Sequence, residues 1–288
     1  MRARAKQAGL AFISLIIVAG AIAGSQGLLK RTVGDYGAFI LAVIVLVVFG
    51  LSARFIERRE PIEIAPQPEV LRLFSGFLLG LLLFTAAMAV LRLLGVYHHD
   101  GLGTFSGVLK GLAFATAAGV TEEVLFRGLL FRILSKATGT WGALALTSAL
   151  FGAAHLNNPG ATLGSAIAIA VEAGILLGAA YVATGGLGVP IGIHIGWNFC
   201  EGSIFGMAVS GTNAQPSLLR GSLNGPAILT GGAFGPENSI IAVILCLVVA
   251  VYFLRKMWIE KRIEPPMWAK ETGPVSAAID ARPSTSTQ

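Results

Sequence analysis

The sequence is poor in charge. Only 12% of its 288 residues are Asp, Glu, Lys or Arg, against about a quarter in a soluble protein. It has two cysteines, Cys200 and Cys246. Both sit in apolar runs without metal-ligand spacing, which excludes a disulfide scaffold and a cysteine metal cluster. It lacks the ~10-residue alternating segments of an outer-membrane barrel. It has no soluble domain and no long-period repeat. Three protease signatures are also missing. No H-E-x-x-H occurs, and no G-x-S-x-G. Gly34-Asp35 lacks the preceding glycine of an aspartyl GxGD motif.

What is present is apolar residue in long blocks: 55% of the chain is hydrophobic and the mean hydropathy is +0.76. A membrane span needs roughly 20 mostly apolar residues. The fold expected is all-α and polytopic, with about eight transmembrane helices: 8–29, 36–55, 71–97, 105–134, 141–156, 161–183, 187–209 and 239–254. The first follows a basic start (Arg2, Arg4, Lys6) and resembles a signal peptide. It is long and has no A-x-A-like cleavage site, so it reads as a retained helix. His98, His99 and Asp100 read as a polar turn. Residues 210–238, rich in Gly, Asn and Pro, read as an extramembrane loop, and Arg255 onward as a polar tail.

Residues 1–104 thus form N-terminal helices and a charged linker, 105–209 a core, 210–264 a loop and last helix, and 265–288 a disordered tail. Most basic residues then fall at one end, among them Arg54, Arg58, Arg132, Lys136 and Arg255. Lys30, Arg31 and Arg220 fall opposite. That bias gives both termini inside. It also accounts for the net charge of +6 without a nucleic-acid partner.

Against this background the stretch Thr121–Gly128 (TEEVLFRG) stands out, with Glu122, Glu123 and Arg127 inside an apolar segment. A charge at membrane depth costs about 3 kcal/mol on insertion scales, so such residues point to function. Glu123 and Arg127 are four apart, the spacing of an intrahelical ion pair. Glu122 points about 100° away and is left free to react. Downstream, Phe151 and His155 lie one turn apart, as do His194 and Asn198. Glu201 extends the latter stripe, and Glu172 stands alone in its segment. For these last two, packing or interhelical hydrogen bonding is the expected role. The GxxxG pairs Gly76/Gly80, Gly107/Gly111, Gly174/Gly178 and Gly192/Gly196 let helices approach closely. The last pair flanks His194 and so could bring a neighbouring helix near that imidazole.

A carboxylate, two imidazoles and a carboxamide on three helices can activate a water and stabilise a tetrahedral intermediate, with or without a metal. The ordered set Glu122-Glu123-x-x-x-Arg127, Phe151-x-x-x-His155 and His194-x-x-x-Asn198 resembles the CPBP family of intramembrane proteases. That family includes the Rce1-like CAAX prenyl endopeptidases and the bacterial Abi proteins. The likeness covers about 105–207, and Leu229–Glu237 (LTGGAFGPE) also looks like bacterial members. It implies an intramembrane endopeptidase. Glu122 and His155 would activate water, and His194 and Asn198 would hold the oxyanion. Glu123, Arg127 and Phe151 would support them.

The family is labelled metalloprotease and has also been described as metal-free. A divalent ion such as zinc on Glu122, His155 and His194 therefore stays open. The partners expected are the lipid bilayer and a hydrophobic or lipid-modified peptide. The location expected is a bacterial plasma membrane. Two other readings compete: a non-catalytic immunity or scaffold protein, and a proton or ion transporter. The polar set is complete, which disfavours the first. No inverted repeat or paired broken helix is seen, which disfavours the second.

Overall fold

The computed structural model describes residues 2–212 and 216–269. Eight long helical segments follow one another. They are α1 (Arg2–Thr32), α2 (Gly37–Leu51, prolonged by a π turn to Ile56) and α3 (Pro66–Leu93), then α4 (Phe105–Glu123, prolonged as π-helix to Phe131) and α5 (Arg132–Ala154). Next come a rod made of α6 (Leu163–Ile169), a π turn and α7 (Leu176–Thr184), then α8 (Gly188–Asn198, prolonged to Ile204). Two strands, β1 (Tyr97–Leu102) and β2 (Leu219–Leu223), and a short α9 (Ala227–Thr230) precede the last segment, α10 (Ile240–Ile259).

Local chemistry sets several ends. Thr162 and Ser165 form a reciprocal capping box at the start of α6. Ser239 caps α10 by accepting from Ile241 N. Gly185 ends α7 at φ 72°, where a side chain would be strained.

Among the described residues, five helices are long and apolar enough to cross a membrane: Ala5–Thr32, Gly34–Ile56, Pro66–Leu93, Leu163–Thr184 and Ile240–Ile259. The three remaining segments, α4, α5 and α8, carry the polar motifs and lie among the five. The molecule is thus an all-α polytopic membrane protein. Many large apolar side chains on α1, α2, α3 and α10 face outward, including Phe12, Val43, Leu82 and Val248, as a lipid-facing surface requires.

The path brings both ends of the described chain to one face. Gln7, the 57–63 linker, Arg132, Lys136, Gly185 and Glu264 line a single cleft of about 620 Å³. Within it Glu57 bonds Arg59 at 2.8 Å and Arg132 at 2.5 Å. Burial pushes the Glu57 carboxyl up, but the hydrogen bonds from Arg132 and Arg59 outweigh it and hold the group below its usual range.

Three segments differ from the sequence reading. His98, His99 and Asp100 are not a turn. They lie in β1, which pairs antiparallel with β2 through His98↔Ser222 and His99↔Gly221. The pairing closes across 120 residues of chain, so no local pattern announces it. The loop after α8 is structured by that strand, α9 and tight turns. The last helix continues to Ile259, so the tail starts later. Its first residues are pinned to the α5 kink by Glu264 N to Thr140 Oγ1 at 2.8 Å and Met267 N to Ala137 O at 3.0 Å. Residues 270–288 lie outside the described part.

Glycine sets the closest helix contact. A methyl placed on Gly76 or Gly80 of α3 would meet the Val189 or Ile193 carbonyl of α8. One on Gly192 or Gly196 would meet the Leu73 or Phe77 carbonyl of α3. The two GxxxG pairs therefore face each other, backbone against backbone. Gly192 and Gly196 each lie two residues from His194, about 200° around the helix. The helix they admit, α3, thus backs the imidazole's helix on the far side from the ring.

Replacing Gly80 with Val is expected to destabilise the fold by at least about 3 kcal/mol, because backbone cannot yield as a side chain does. Gly24→Ala, with nothing within 4 Å, is expected to be neutral. Thermal unfolding of both variants in detergent measures the difference.

Candidate active site

The site is assembled around a guanidinium. Arg127 and Glu123 are enclosed, at 1% and 0% exposure. Their ion pair is 2.8 Å long, as the i, i+4 spacing predicts. Arg127 Nη2 also donates to the carbonyls of Ala173 and Gly174, both at 3.1 Å. Those carbonyls belong to the π turn Ala170–Ile175 between α6 and α7. The guanidinium lies over the Phe151 ring, 4.5 Å from its centroid, a cation–π contact worth up to about 2 kcal/mol when desolvated. One side chain on α4 thereby fixes α5 and the α6–α7 rod.

Phe151 carries the arrangement further. Its ring packs against Phe126 at 5.0 Å, His155 at 4.9 Å and His194 at 6.1 Å. His155 Nδ1 lies 2.7 Å from the Phe151 carbonyl. A carbonyl only accepts, so Nδ1 carries the hydrogen, and in the neutral imidazole Nε2 is then the acceptor.

His194 is oriented in the same sense by a different group. Its Nδ1 is 3.0 Å from Glu123 Oε1, the oxygen that also receives Arg127. Its Nε2 faces Glu122 Oε2 at 3.9 Å. Glu123 therefore does more than neutralise Arg127: it also holds the imidazole. The 71-residue separation hid this contact from a reading based on spacing. Glu122 is the more open acid, with 31% of its side chain exposed, and its Oε2 has no hydrogen-bond partner.

His155, His194 and Asn198 line one cavity of about 30 Å³ together with Phe151, Glu172, Trp197 and Glu237. This exceeds the ~10–15 Å³ that one water needs. Glu122 is not a wall of that cavity and stands beside it, across from His194. All seven expected side chains are thus in one neighbourhood, and three of the four reactive groups share a space. Among the described residues no three His, Cys, Asp or Glu side chains are grouped so as to hold a metal ion. Glu122, His155 and His194 do not form a ready ligand set in this arrangement.

Three further buried acids had no catalytic part assigned. Glu172 and Glu201 are buried, at 2% and 0% exposure. Neither oxygen of Glu201, nor Oε2 of Glu172, has a hydrogen-bond partner, so the interhelical bonds expected of them are absent at these atoms. In the sequence Glu237 stands out only as the end of the Leu229–Glu237 stretch, with no role given to it; it lies in a glycine-rich loop, 36 residues beyond Glu201. It is 3% exposed and bonded to Trp197 and Ser210.

Removing the central cation should be costly. Arg127→Ala leaves Glu123 buried without its cation and vacates the Ala173 and Gly174 carbonyls, a loss of about 3–5 kcal/mol. The variant is expected to melt far below the wild type or to aggregate in detergent. Glu122→Gln, at an open position, is expected to melt within a few degrees of the wild type.

Residues 104–200 match the family model described as type II CAAX prenyl endopeptidase, Rce1-like. The matched stretch begins just before α4 and ends two residues after Asn198, so it contains Glu122, Glu123, Arg127, Phe151, His155, His194 and Asn198. No curated protein gives a significant match to the chain.

Proposed function

Taking residues 104–200 as an Rce1-like CAAX endopeptidase domain, we propose that this protein hydrolyses a peptide bond within or at the edge of the membrane through a water activated by Glu122 and His155. The observation that carries the reading is the water-sized cavity shared by His155, His194 and Asn198, with Glu122 3.9 Å from His194 Nε2.

The steps follow from the donors and acceptors. In the neutral ring His155 Nε2 is an acceptor, and Glu122 is an acid with an unpartnered oxygen. Either can take a proton from water as its oxygen attacks the scissile carbonyl. Charge then develops on the carbonyl oxygen. The Asn198 carboxamide donates to it. His194 does the same in its protonated form, when Nδ1–H is tied to Glu123 and Nε2–H is free. Collapse of the tetrahedral intermediate breaks the C–N bond. The proton taken from water goes to the leaving amine, and the products are a carboxylic acid and an amine. Glu123, Arg127 and Phe151 contribute by holding these groups in place.

We carry this forward without a metal, because Glu122, His155 and His194 are not grouped as ligands. Zinc assistance is a separable alternative. The substrate proposed is a hydrophobic or lipid-modified peptide, which suits a site enclosed by apolar helices. The placement proposed is a bacterial plasma membrane with both termini cytoplasmic. The orientation is supported by the clustering of Arg58, Arg59, Arg132 and Lys136 at the face that holds both ends of the described chain.

Purified protein in detergent, given a labelled apolar peptide, tests the proposal. Glu122→Gln and His155→Ala are each expected to lower kcat by about 10²–10⁴-fold, the range for losing a general base. Asn198→Ala is expected to lose about 10²–10³-fold, as for one oxyanion donor. Equal cleavage by the wild type and all three variants would sink the assignment. A chelator is expected to leave the wild type active. Loss of activity restored by zinc would favour the metal-assisted form.

A further inference from the structure

Three buried carboxyls, those of Glu172, Glu201 and Glu237, stand behind the catalytic groups, and the mechanism above uses none of them. They differ in their partners. Neither oxygen of Glu201 reaches a donor, and Glu172 Oε2 also has none. Glu237 has three donors. Its Oε1 accepts from Trp197 Nε1 at 3.2 Å. Its Oε2 accepts from Ser210 N at 2.7 Å and Ser210 Oγ at 2.8 Å.

Each donor leads to a different part of the site. Trp197 precedes Asn198 and lies three residues after His194. Ser210 lies in the long loop after α8, six residues beyond Ile204, and holds φ 48°, a conformation that costs a non-glycine residue free energy and persists only where neighbours enforce it. The Ser210 carbonyl accepts from Asn158 Nδ2 at 2.9 Å, and Asn158 N bonds back to the His155 carbonyl at 3.0 Å. Gly211 N and the Phe234 carbonyl, at 2.7 Å, tie the two ends of the loop together beside Glu237. The chain of contacts therefore runs from His155 through Asn158 and Ser210 to Glu237, and on through Trp197 to His194 and Asn198. Glu237 joins the two halves of this path from the loop side, as Phe151 does from α5, and it lines the cavity between them.

We propose that Glu237 is a positioning residue that locks the loop after α8 to both catalytic histidine segments and fixes the distance across the cavity. The proposal rests on the protease reading for its effect on rate, but not for the contact itself. Its chemistry is specific to a carboxylate. Three donors converge on two acceptor oxygens, so an amide in that place must turn one N–H toward another N–H. Glu237→Gln keeps size and shape and loses that match.

The test uses full-length protein in detergent with two readouts, hydrogen–deuterium exchange and peptide cleavage. Glu237→Gln is expected to speed exchange about tenfold in residues 155–160 and leave α1 and α2 unchanged. It is expected to lower kcat about tenfold with KM within twofold, since a small misplacement of reacting groups acts on rate. Adding Trp197→Phe to Glu237→Gln should cost little more, because the two act through one bond. Should Glu237→Gln not fold, Ser210→Ala removes one donor and keeps the backbone N–H. It is expected to show the same pattern at about threefold.

Unchanged exchange in residues 155–160 would overturn the proposal. So would faster exchange with an unchanged kcat, or kcat and KM losses that add fully in the double variant. A wild type that cleaves nothing refutes the protease reading instead, and exchange alone then judges the clamp.

Discussion

The completely enclosed guanidinium of Arg127 is the constraint on which the rest of the structure depends. Its Nη1 bonds the Glu123 carboxylate and its Nη2 two carbonyls, and its face rests on an aromatic ring. Such a group is tolerable in an apolar bundle only if those partners stay in place. The partners come from α4, α5 and the α6–α7 rod, so the charge fixes three helices relative to one another. The same carboxylate oxygen that neutralises Arg127 orients His194 on α8. Bundle assembly and active-site geometry are therefore one problem with one solution. This explains why ionisable residues persist here despite their cost.

Helical irregularity supplies the geometry. The π-helical stretches Val124–Phe131, Ala170–Ile175 and Phe199–Ile204 begin at or next to residues of the site. A regular α-helix commits each carbonyl to an i+4 amide. A π turn shifts the ladder and leaves acceptors with spare capacity, and such turns collect at functional sites. The Ala173 and Gly174 carbonyls that receive Arg127 lie in one of them. The structure thus meets the demand for polar partners from its own backbone. In this way α4, the α6–α7 rod and α8 stay helical in an apolar setting while still presenting a polar site.

Much of this could be read from the sequence, for a physical reason. Hydropathy is a one-dimensional property, so the eight helical segments follow from blocks of apolar residues. The Glu123–Arg127 pair follows from helical spacing alone. What could not be read involves chain that is distant in sequence. The bond between Glu123 and His194 spans 71 residues, and the β1–β2 pairing closes across the catalytic core. YHHDGL carries no alternating pattern to announce a strand. The GxxxG motifs were legible as close contacts, but not which pair meets which. Glu237 was least accessible of all. In a glycine-rich loop an acid reads as solvated surface, and only the fold buries it.

The loop also bears on how a membrane enzyme keeps water where it is needed. The cavity beside the histidines has room for water and little more, and most of its walls are apolar side chains or groups already committed to hydrogen bonds. A larger opening would admit bulk water and weaken every electrostatic contact in the site. A smaller one would exclude the nucleophile. The helices alone do not set this size. The end of α5 is fixed at Asn158 by a loop residue, and α8 is fixed at Trp197 by another. The spacing across the cavity is therefore tied to the loop after α8 as well as to the bundle. The Arg127 partners named above lie on α4, α5 and the α6–α7 rod, so the loop reaches the cavity without touching the charge at the centre.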